Sequence, residues 1–214
     1  NSFKLFSKSP RLKYLLFFGA LIWGTLLSIT MLRSGIMQEV GIPSGYFGII
    51  FAIMGLISGV SARNEQRFHK KYRNKTLGKL ALPLVFSFLI LGIVCSSGAP
   101  YAIKVIVILL LFVVQYIVKG PFYPLIKQYL NNFTTTKLRT KISSSFNLLE
   151  NILRFLITFS ASTLLRFTTT ANTFTVLGCV LGLIVVLTLD RMRTRVGLKP
   201  EEYTEKDANV MNLK

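Results

Sequence analysis

Six apolar stretches alternate with polar and basic segments along the chain. They cover residues 12–32, 45–62, 77–97, 101–130, 143–167 and 172–190. An α-helix rises about 1.5 Å per residue and needs roughly 20 mostly apolar residues to cross the hydrocarbon core of a bilayer. The pattern therefore predicts an all-α membrane protein with six transmembrane helices in one bundle over residues 12–192. A basic segment, residues 1–11, precedes the bundle, and a charged tail, residues 193–214, follows it.

The fifth stretch differs from the others because its polar residues fall on one helical face. At about 100° per residue, apolar side chains cover the rest of that helix. The polar face consists of Ser144, Asn147, Glu150, Asn151, Arg154, Thr158 and Ser162. A charge at the centre of a membrane helix costs roughly 2.5–3.5 kcal/mol on insertion scales. We therefore expect this face to contact other protein or water rather than lipid.

Glu150 and Arg154 are spaced four residues apart, with the acid first, which is the favourable order for a pair on one helix. Two interpretations follow from this spacing. The pair forms part of a proton or substrate site, or it neutralises itself and fixes helix packing near the cytoplasmic end. The spacing alone does not decide between them.

Lys119 lies four residues after Gln115 in the fourth stretch and is expected on the same face. It is a candidate for contact with an anionic substrate or for pairing with Glu150, or its long side chain extends toward the cytoplasm. The fourth and fifth stretches are joined by a short loop, residues 131–142, so their polar faces can meet. We expect Glu150 to be ionised and shared between Lys119 and Arg154.

Glycine and proline positions add two expectations about packing. Helical apolar spacing resumes after Pro121 and Pro124, so the fourth helix is expected to kink there and continue. Gly55 and Gly59 have the spacing of small residues that permits close helix packing.

The distribution of basic residues predicts the orientation in the membrane. The chain has 26 Lys and Arg against 8 Asp and Glu, a net charge of +18. Six spans place both termini and two basic loops on one side, which carries 21 of the basic residues. The other side carries Arg33, Lys104 and Arg166. Because cytoplasmic loops are enriched in Lys and Arg, both termini are expected in the cytoplasm.

Composition also argues against several classes of function. The basic residues lie between apolar stretches and form no basic groove with interleaved aromatics, so nucleic acid is not an expected partner. His69 is the single histidine, and Cys95 and Cys179 lie in separate apolar runs, so no metal site, cofactor or disulfide is expected. The spans contain no paired carboxylates and no serine with a base, so the chain is not expected to be an enzyme.

The order of the spans and several short segments resemble the C-terminal half, helices seven to twelve, of a major facilitator superfamily transporter. The segments that carry this resemblance are Gly120-Pro121-Phe122-Tyr123-Pro124, Tyr129, Thr140, Ser143 to Ser145, and Asn147 to Arg154. In the loop between the second and third spans the family often has Gly-x-x-x-Asp-Arg-x-Gly-Arg-Arg, and Gly59 corresponds to the first Gly of this signature. The present chain keeps the basic residues there but lacks the Asp and the second Gly.

The resemblance implies a 3+3 inverted repeat of six helices, with both termini cytoplasmic. It also implies half of a secondary active transporter, which moves a small solute by alternating access. Such a half is incomplete without an N-terminal six-helix half or a second copy. The protein would be multi-pass in the cell membrane, as a bacterial cytoplasmic membrane protein. The candidates for substrate or coupling contacts are Gln115, Lys119, Asn147, Glu150, Asn151 and Arg154. The alternative is a non-transporting six-helix scaffold or assembly subunit.

Overall fold

A computed structural model describes residues 10–72, 75–132 and 136–192, and within these residues it contains α-helices and no strand. The helices are α1 (Pro10–Glu39), α2 (Phe47–Arg63), α3 (Glu65–Tyr72), α4 (Thr76–Ser96), α5 (Tyr101–Asn132), α6 (Thr136–Phe167) and α7 (Thr170–Met192), and a 3-10 turn, Ser44–Tyr46, precedes α2. All except the short α3 are long and apolar enough to cross a membrane. For the described residues, the prediction of an all-α protein with six helices long and apolar enough to span a membrane is confirmed.

Helix α1 is longer than its apolar stretch indicated. It continues from residue 32 to Glu39 because Ile36 and Met37 are buried in the core at 3% and 0% exposure. It ends where Gly41 adopts a φ of 88°. The amide of Gly41 donates to Gln38, and that of Ile42 donates to Met37, which is the Schellman pattern. Arg33 therefore lies inside the helix, and the assignment of Arg33 to an outer loop was wrong.

The predicted loop over residues 131–142 is also mostly helical. Helix α5 extends to Asn132 and α6 begins at Thr136, and α5 continues through both of its prolines as expected. The basic segment after α2 forms α3, where His69 Nδ1 lies 2.8 Å from the Tyr129 hydroxyl of α5. The predicted lead-in and the predicted tail lie outside the described residues, apart from the first turn of α1.

The long helices pack mainly in three pairs: α1 with α6, α2 with α5, and α4 with α7. Helix α4 also packs on α5, and α1 packs on both α7 and α5. In the most apolar window of α1, 67% of the residues are buried, against 11% in α2 and in α6. Helix α1 is therefore the centre of the bundle, and α2 and α6 present most of their surface outward.

The closest approach of α2 and α5 occurs at Gly120. A Cβ at this position would meet the carbonyl of Ser58 and would lie 2.8 Å from the amide nitrogen of Ala62. Ser61 reinforces the contact by donating from Oγ to the Ile117 carbonyl at 2.6 Å. By contrast, a Cβ at Gly55 or Gly59 would have no atom of another helix within 4 Å. The prediction that these two glycines mediate close packing within this bundle was wrong, because they lie on the uncovered side of α2.

We expect Gly120→Ala to destabilise the bundle by about 1–3 kcal/mol, because the added methyl group meets main chain that has no rotamer with which to move aside. Gly55→Ala is the matched control and should leave stability unchanged or slightly raised. Unfolding of the two variants in detergent checks this expectation. Equal effects of the two substitutions would contradict it.

Candidate functional site

Charged and polar side chains inside the bundle collect along one side of α5, where it lies against α1 and α6. They form two groups. The Arg33 cluster consists of Thr30, Arg33, Tyr116 and Lys119. The Lys127 cluster consists of Tyr123, Lys127, Ser143, Asn147, Glu150 and Arg154. Trp23 of α1 packs on the Lys127 cluster, with its ring centroid 4.7 Å from that of Tyr123.

Arg33 is a buried cation in a largely aromatic environment. Its side chain is 1% exposed, and its Nε and Nη1 atoms have no hydrogen-bond partner. Its Cζ atom lies 4.9 Å from the centroid of the Phe112 ring and 4.3 Å from that of Tyr116, and it interacts with the Tyr116 hydroxyl. Cation–π attraction of this kind offsets part of the cost of burying the charge.

Lys119 lies against the same aromatic ring as Arg33. Its Nζ atom is 5.2 Å from the Tyr116 centroid and 3.5 Å from Thr30 Oγ1. The positive charge of Arg33 repels that of Lys119. Neither cation has an ion-pair partner in the described part of the chain. The acidic side chains described there are Glu39, Glu65 and Glu150. Glu39 accepts a hydrogen bond from Thr170, and Glu150 belongs to the other cluster.

Lys127, in contrast, is well supplied with partners from α6. Its Nζ atom donates to Ser143 Oγ at 2.9 Å and to Asn147 Oδ1 at 3.0 Å. It also lies 4.7 Å from the centroid of the Phe146 ring. Glu150 is 8% exposed and interacts electrostatically with Arg154 and Lys127. The cluster thus joins the last turns of α5 to the first half of α6.

Helix α1 holds the main chain of α6 at the level of this cluster. A Cβ at Gly24 would lie 3.2 Å from the amide nitrogen of Arg154 and 3.3 Å from the carbonyl oxygen of Glu150. Ser28 Oγ lies 3.2 Å from the Arg154 carbonyl and accepts a hydrogen bond from Thr158 at 3.0 Å. The polar face of α6 is therefore only partly turned toward α1, and Asn147 and Asn151 stay exposed.

Two predicted candidates have other neighbours than expected. Gln115 is 1% exposed, donates to Ser87 Oγ of α4 at 3.1 Å and leaves its Oε1 without a partner. It faces α4 whereas Lys119 faces α1, because positions i and i+4 differ by about 40° and α5 lies between those two helices. The side-chain Nδ2 atom of Asn151 donates to the main-chain carbonyl of Asn147, in the same helix, at 2.8 Å.

The structure does not bring Lys119 and Glu150 together, so the expected sharing of Glu150 between Lys119 and Arg154 is corrected. The second cation that interacts with Glu150, besides Arg154, is Lys127 and not Lys119. The reason is the crossing of the helices. Tyr123 and Lys127 near the end of α5 contact α6, whereas at the level of Lys119 it is α1 that lies against α5.

Sequence reasoning missed the roles of Arg33 and Lys127, because Arg33 was placed after the end of the first span and Lys127 was counted with the basic residues at the cytoplasmic end of the fourth span. A signal for each was present. Ile36 and Met37 follow Arg33 at helical spacing, and Ile126 and Leu130 flank Lys127 on the apolar face of α5. All four side chains are buried.

Comparison of the chain with protein-family models, with curated proteins and with solved structures found no match. In the described residues, no group of three or more His, Cys, Asp or Glu side chains is arranged to hold a metal ion. Helix packing and the two polar clusters are therefore the features that bear on function.

We expect Glu150→Gln to destabilise the bundle by roughly 1–3 kcal/mol, because it leaves Lys127 and Arg154 without a buried counter-charge. Combining it with Lys127→Gln should recover part of the loss, while combining it with Lys119→Gln should recover none. Unfolding of the single and double variants forms a double-mutant cycle that measures both couplings. Recovery with Lys119→Gln and not with Lys127→Gln would refute the assignment of partners.

Proposed function

We propose that this chain is one half of a secondary active transporter of the major facilitator type, equivalent to helices seven to twelve, and that it moves a small solute by alternating access. The observation that carries this proposal is that two helix contacts are built in the same way. They are the contact of α1 with α6 and the contact of α2 with α5.

Each of these contacts places a glycine against the main chain of its partner helix. Gly24 of α1 faces the carbonyl of Glu150 and the amide of Arg154, and Gly120 of α5 faces the carbonyl of Ser58 and the amide of Ala62. In both cases the partner atoms are the carbonyl of one residue and the amide four residues later. Exchanging the first three spans with the last three converts one contact into the other.

The other main contacts are consistent with the same exchange. The exchange maps α1 onto α5, α2 onto α6 and α4 onto α7, and each of the last three helices back onto its counterpart. The pair of α4 and α7 is then its own counterpart, and the contact of α4 with α5 becomes that of α7 with α1. An inverted repeat of three plus three helices predicts this set of pairs. The packing thus supports the repeat that the order of spans suggested.

Two uncovered faces support the proposal that the bundle is incomplete alone. The polar edge of α6 is exposed at Ser144, Asn147, Asn151 and Ser162. On α2 the small residues Gly48, Ala52, Gly55 and Gly59 are exposed. Polar side chains are unfavourable in hydrocarbon, and small-residue stripes favour close helix packing. We infer that a second six-helix half, or a second copy of this chain, covers these faces and leaves an aqueous path for solute between them.

The six apolar helices support a multi-pass protein in a lipid bilayer, and the Lys and Arg distribution favours both termini on the cytoplasmic side. We propose the bacterial cytoplasmic membrane as its location. Among the residues on the inner faces, Asn147, Asn151 and Arg154 of α6 are the candidates for direct contact with solute. Gln115 is a weaker candidate because it is buried against α4. The alternative is a non-transporting scaffold or assembly subunit, which the two hydrogen bonds from Lys127 to α6 favour, since they link two helices.

Cysteine accessibility distinguishes these two functions without knowledge of the solute. In a background in which Cys95 and Cys179 are replaced by Ala, Asn151→Cys should react with a hydrophilic thiol reagent in native membranes. The reaction should occur with reagent added from either side, because alternating access opens the path to each side in turn. Ile152→Cys is the control, since Ile152 is 47% exposed on the adjoining apolar face and should stay unreactive in lipid. An Asn151→Cys variant that reacts from neither side favours the scaffold.

The proposed orientation is tested in intact cells with a reagent that does not cross the membrane. In the same background, Arg67→Cys on α3 should be protected and Ser44→Cys, between α1 and α2, should react. Both residues are exposed in the bundle, so burial does not explain a difference between them. The reverse labelling pattern would overturn the orientation inferred from the Lys and Arg distribution.

A further inference from the structure

We propose that Arg33 and Lys119 form a binding site for an oxyanion, such as a carboxylate or a phosphate group. If the chain is half of a transporter as proposed above, the solute it carries is then an anion. The binding itself is a property of this bundle and does not depend on the missing half.

The charge balance of the Arg33 cluster is the first observation that supports this site. Arg33 and Lys119 both lie near the ring of Tyr116, and each adds a positive charge. None of the three acidic side chains that the structure describes, Glu39, Glu65 and Glu150, compensates them. The aromatic rings of Phe112 and Tyr116 attract the guanidinium but leave the net charge unchanged. Removing charge from water without compensation is unfavourable, so the cluster lacks a negative partner.

Several hydrogen-bond donors of the cluster also lack acceptors. Arg33 has two buried nitrogen atoms, Nε and Nη1, with no acceptor. Lys119 has three ammonium donors, and its one hydrogen bond is the long contact of 3.5 Å to Thr30. Thr30 already donates to the Leu26 carbonyl at 2.8 Å. A carboxylate or phosphate offers only acceptors and matches the planar guanidinium, so it supplies what the cluster lacks.

The Lys127 cluster provides an internal contrast. Lys127 is also a cation on the inner side of α5, but it donates to two acceptors and has Glu150 as a nearby negative charge. The described part of the chain thus provides a counter-charge for one group of cations and none for the other.

The position of α7 places the main chain at Asp190, near the C-terminal end of that helix, far from the Arg33 cluster. The start of α7 lies beside the end of α1, where Thr170 contacts Glu39. Arg33 is less than two turns from Glu39, whereas Asp190 is twenty residues beyond Thr170, or about 30 Å along the helix. Lys119 is only half-buried, so an anion reaches the cluster from the side of Lys119.

The test is thermal unfolding of the purified 214-residue chain in an uncharged detergent. Inorganic phosphate and acetate are titrated separately, with chloride keeping the ionic strength constant. We expect at least one of them to raise the unfolding temperature in a saturable way, by a few degrees. Arg33→Met and Lys119→Met should abolish this rise. Arg166→Met removes the same charge from an exposed position at the end of α6 and should respond as the parent chain does.

Arg33→Met also has an expected effect without any anion. Because it removes a buried charge that lacks a counter-charge, its unfolding temperature should equal or exceed that of the parent chain. A purely structural Arg33 gives the opposite result, a lower unfolding temperature with the anion response retained. That result would overturn the proposal. So would the absence of any rise in unfolding temperature with phosphate or acetate, or an equal rise in the parent chain and all three variants. If Arg33→Met does not fold, Lys119→Met provides the same comparison.

A second arm distinguishes a free anion from a lipid headgroup. Phosphatidylglycerol is added in place of the soluble anions. A rise with phosphate or acetate that Arg33→Met abolishes shows that a free anion is sufficient. A rise with phosphatidylglycerol alone, also abolished by Arg33→Met, would retain the oxyanion chemistry and overturn its assignment to a solute. Because no transport is measured, failure here and failure of the thiol accessibility test are separate results.

Discussion

A charged side chain within a membrane span must be compensated by protein, water or ligand, because hydrocarbon offers neither counter-charge nor hydrogen bonds. This constraint explains why α1 is at the centre of the bundle. Its main-chain contact at Gly24 brings Glu150 and Arg154 of α6 into the protein, and its own Arg33 packs on the aromatic rings of α5. Both polar clusters therefore depend on the position of one helix. The apolar residues around them exclude water and so make each missing partner more costly.

The number of spans and most of their bounds were predictable because hydropathy is a local property that acts directly on insertion. The errors occurred where polar residues were taken to end a helix. Arg33 follows an apolar run, yet α1 continues for another six residues because Ile36 and Met37 find a place in the core. The segment over residues 131–142 was assigned to a loop for the same reason, although α6 begins at Thr136. At the end of α1, tertiary burial, which a local average does not include, decided where the helix ends.

The candidate site was predictable to a more limited extent. Which residues share the polar face of α6 follows from helical geometry alone, and Asn147, Glu150 and Arg154 do lie on one side. Which cation approaches Glu150 depends on where α5 and α6 cross, and this information is not present in either helix by itself. The choice of Lys119 rather than Lys127 failed for this reason. Gln115 illustrates the same limit, since its partner Ser87 belongs to a third helix.

The stacking of Trp23 on Tyr123 has a practical consequence. Trp23 is the single tryptophan of the chain, and it is half-buried on α1 against Tyr123 of the Lys127 cluster. Indole emission is sensitive to the polarity and hydration of its surroundings, and no other tryptophan contributes to the signal. The intrinsic fluorescence of this protein therefore reports on one location, the interior side of α1. Rearrangement of that location becomes observable in the unlabelled protein, in any lipid and at equilibrium.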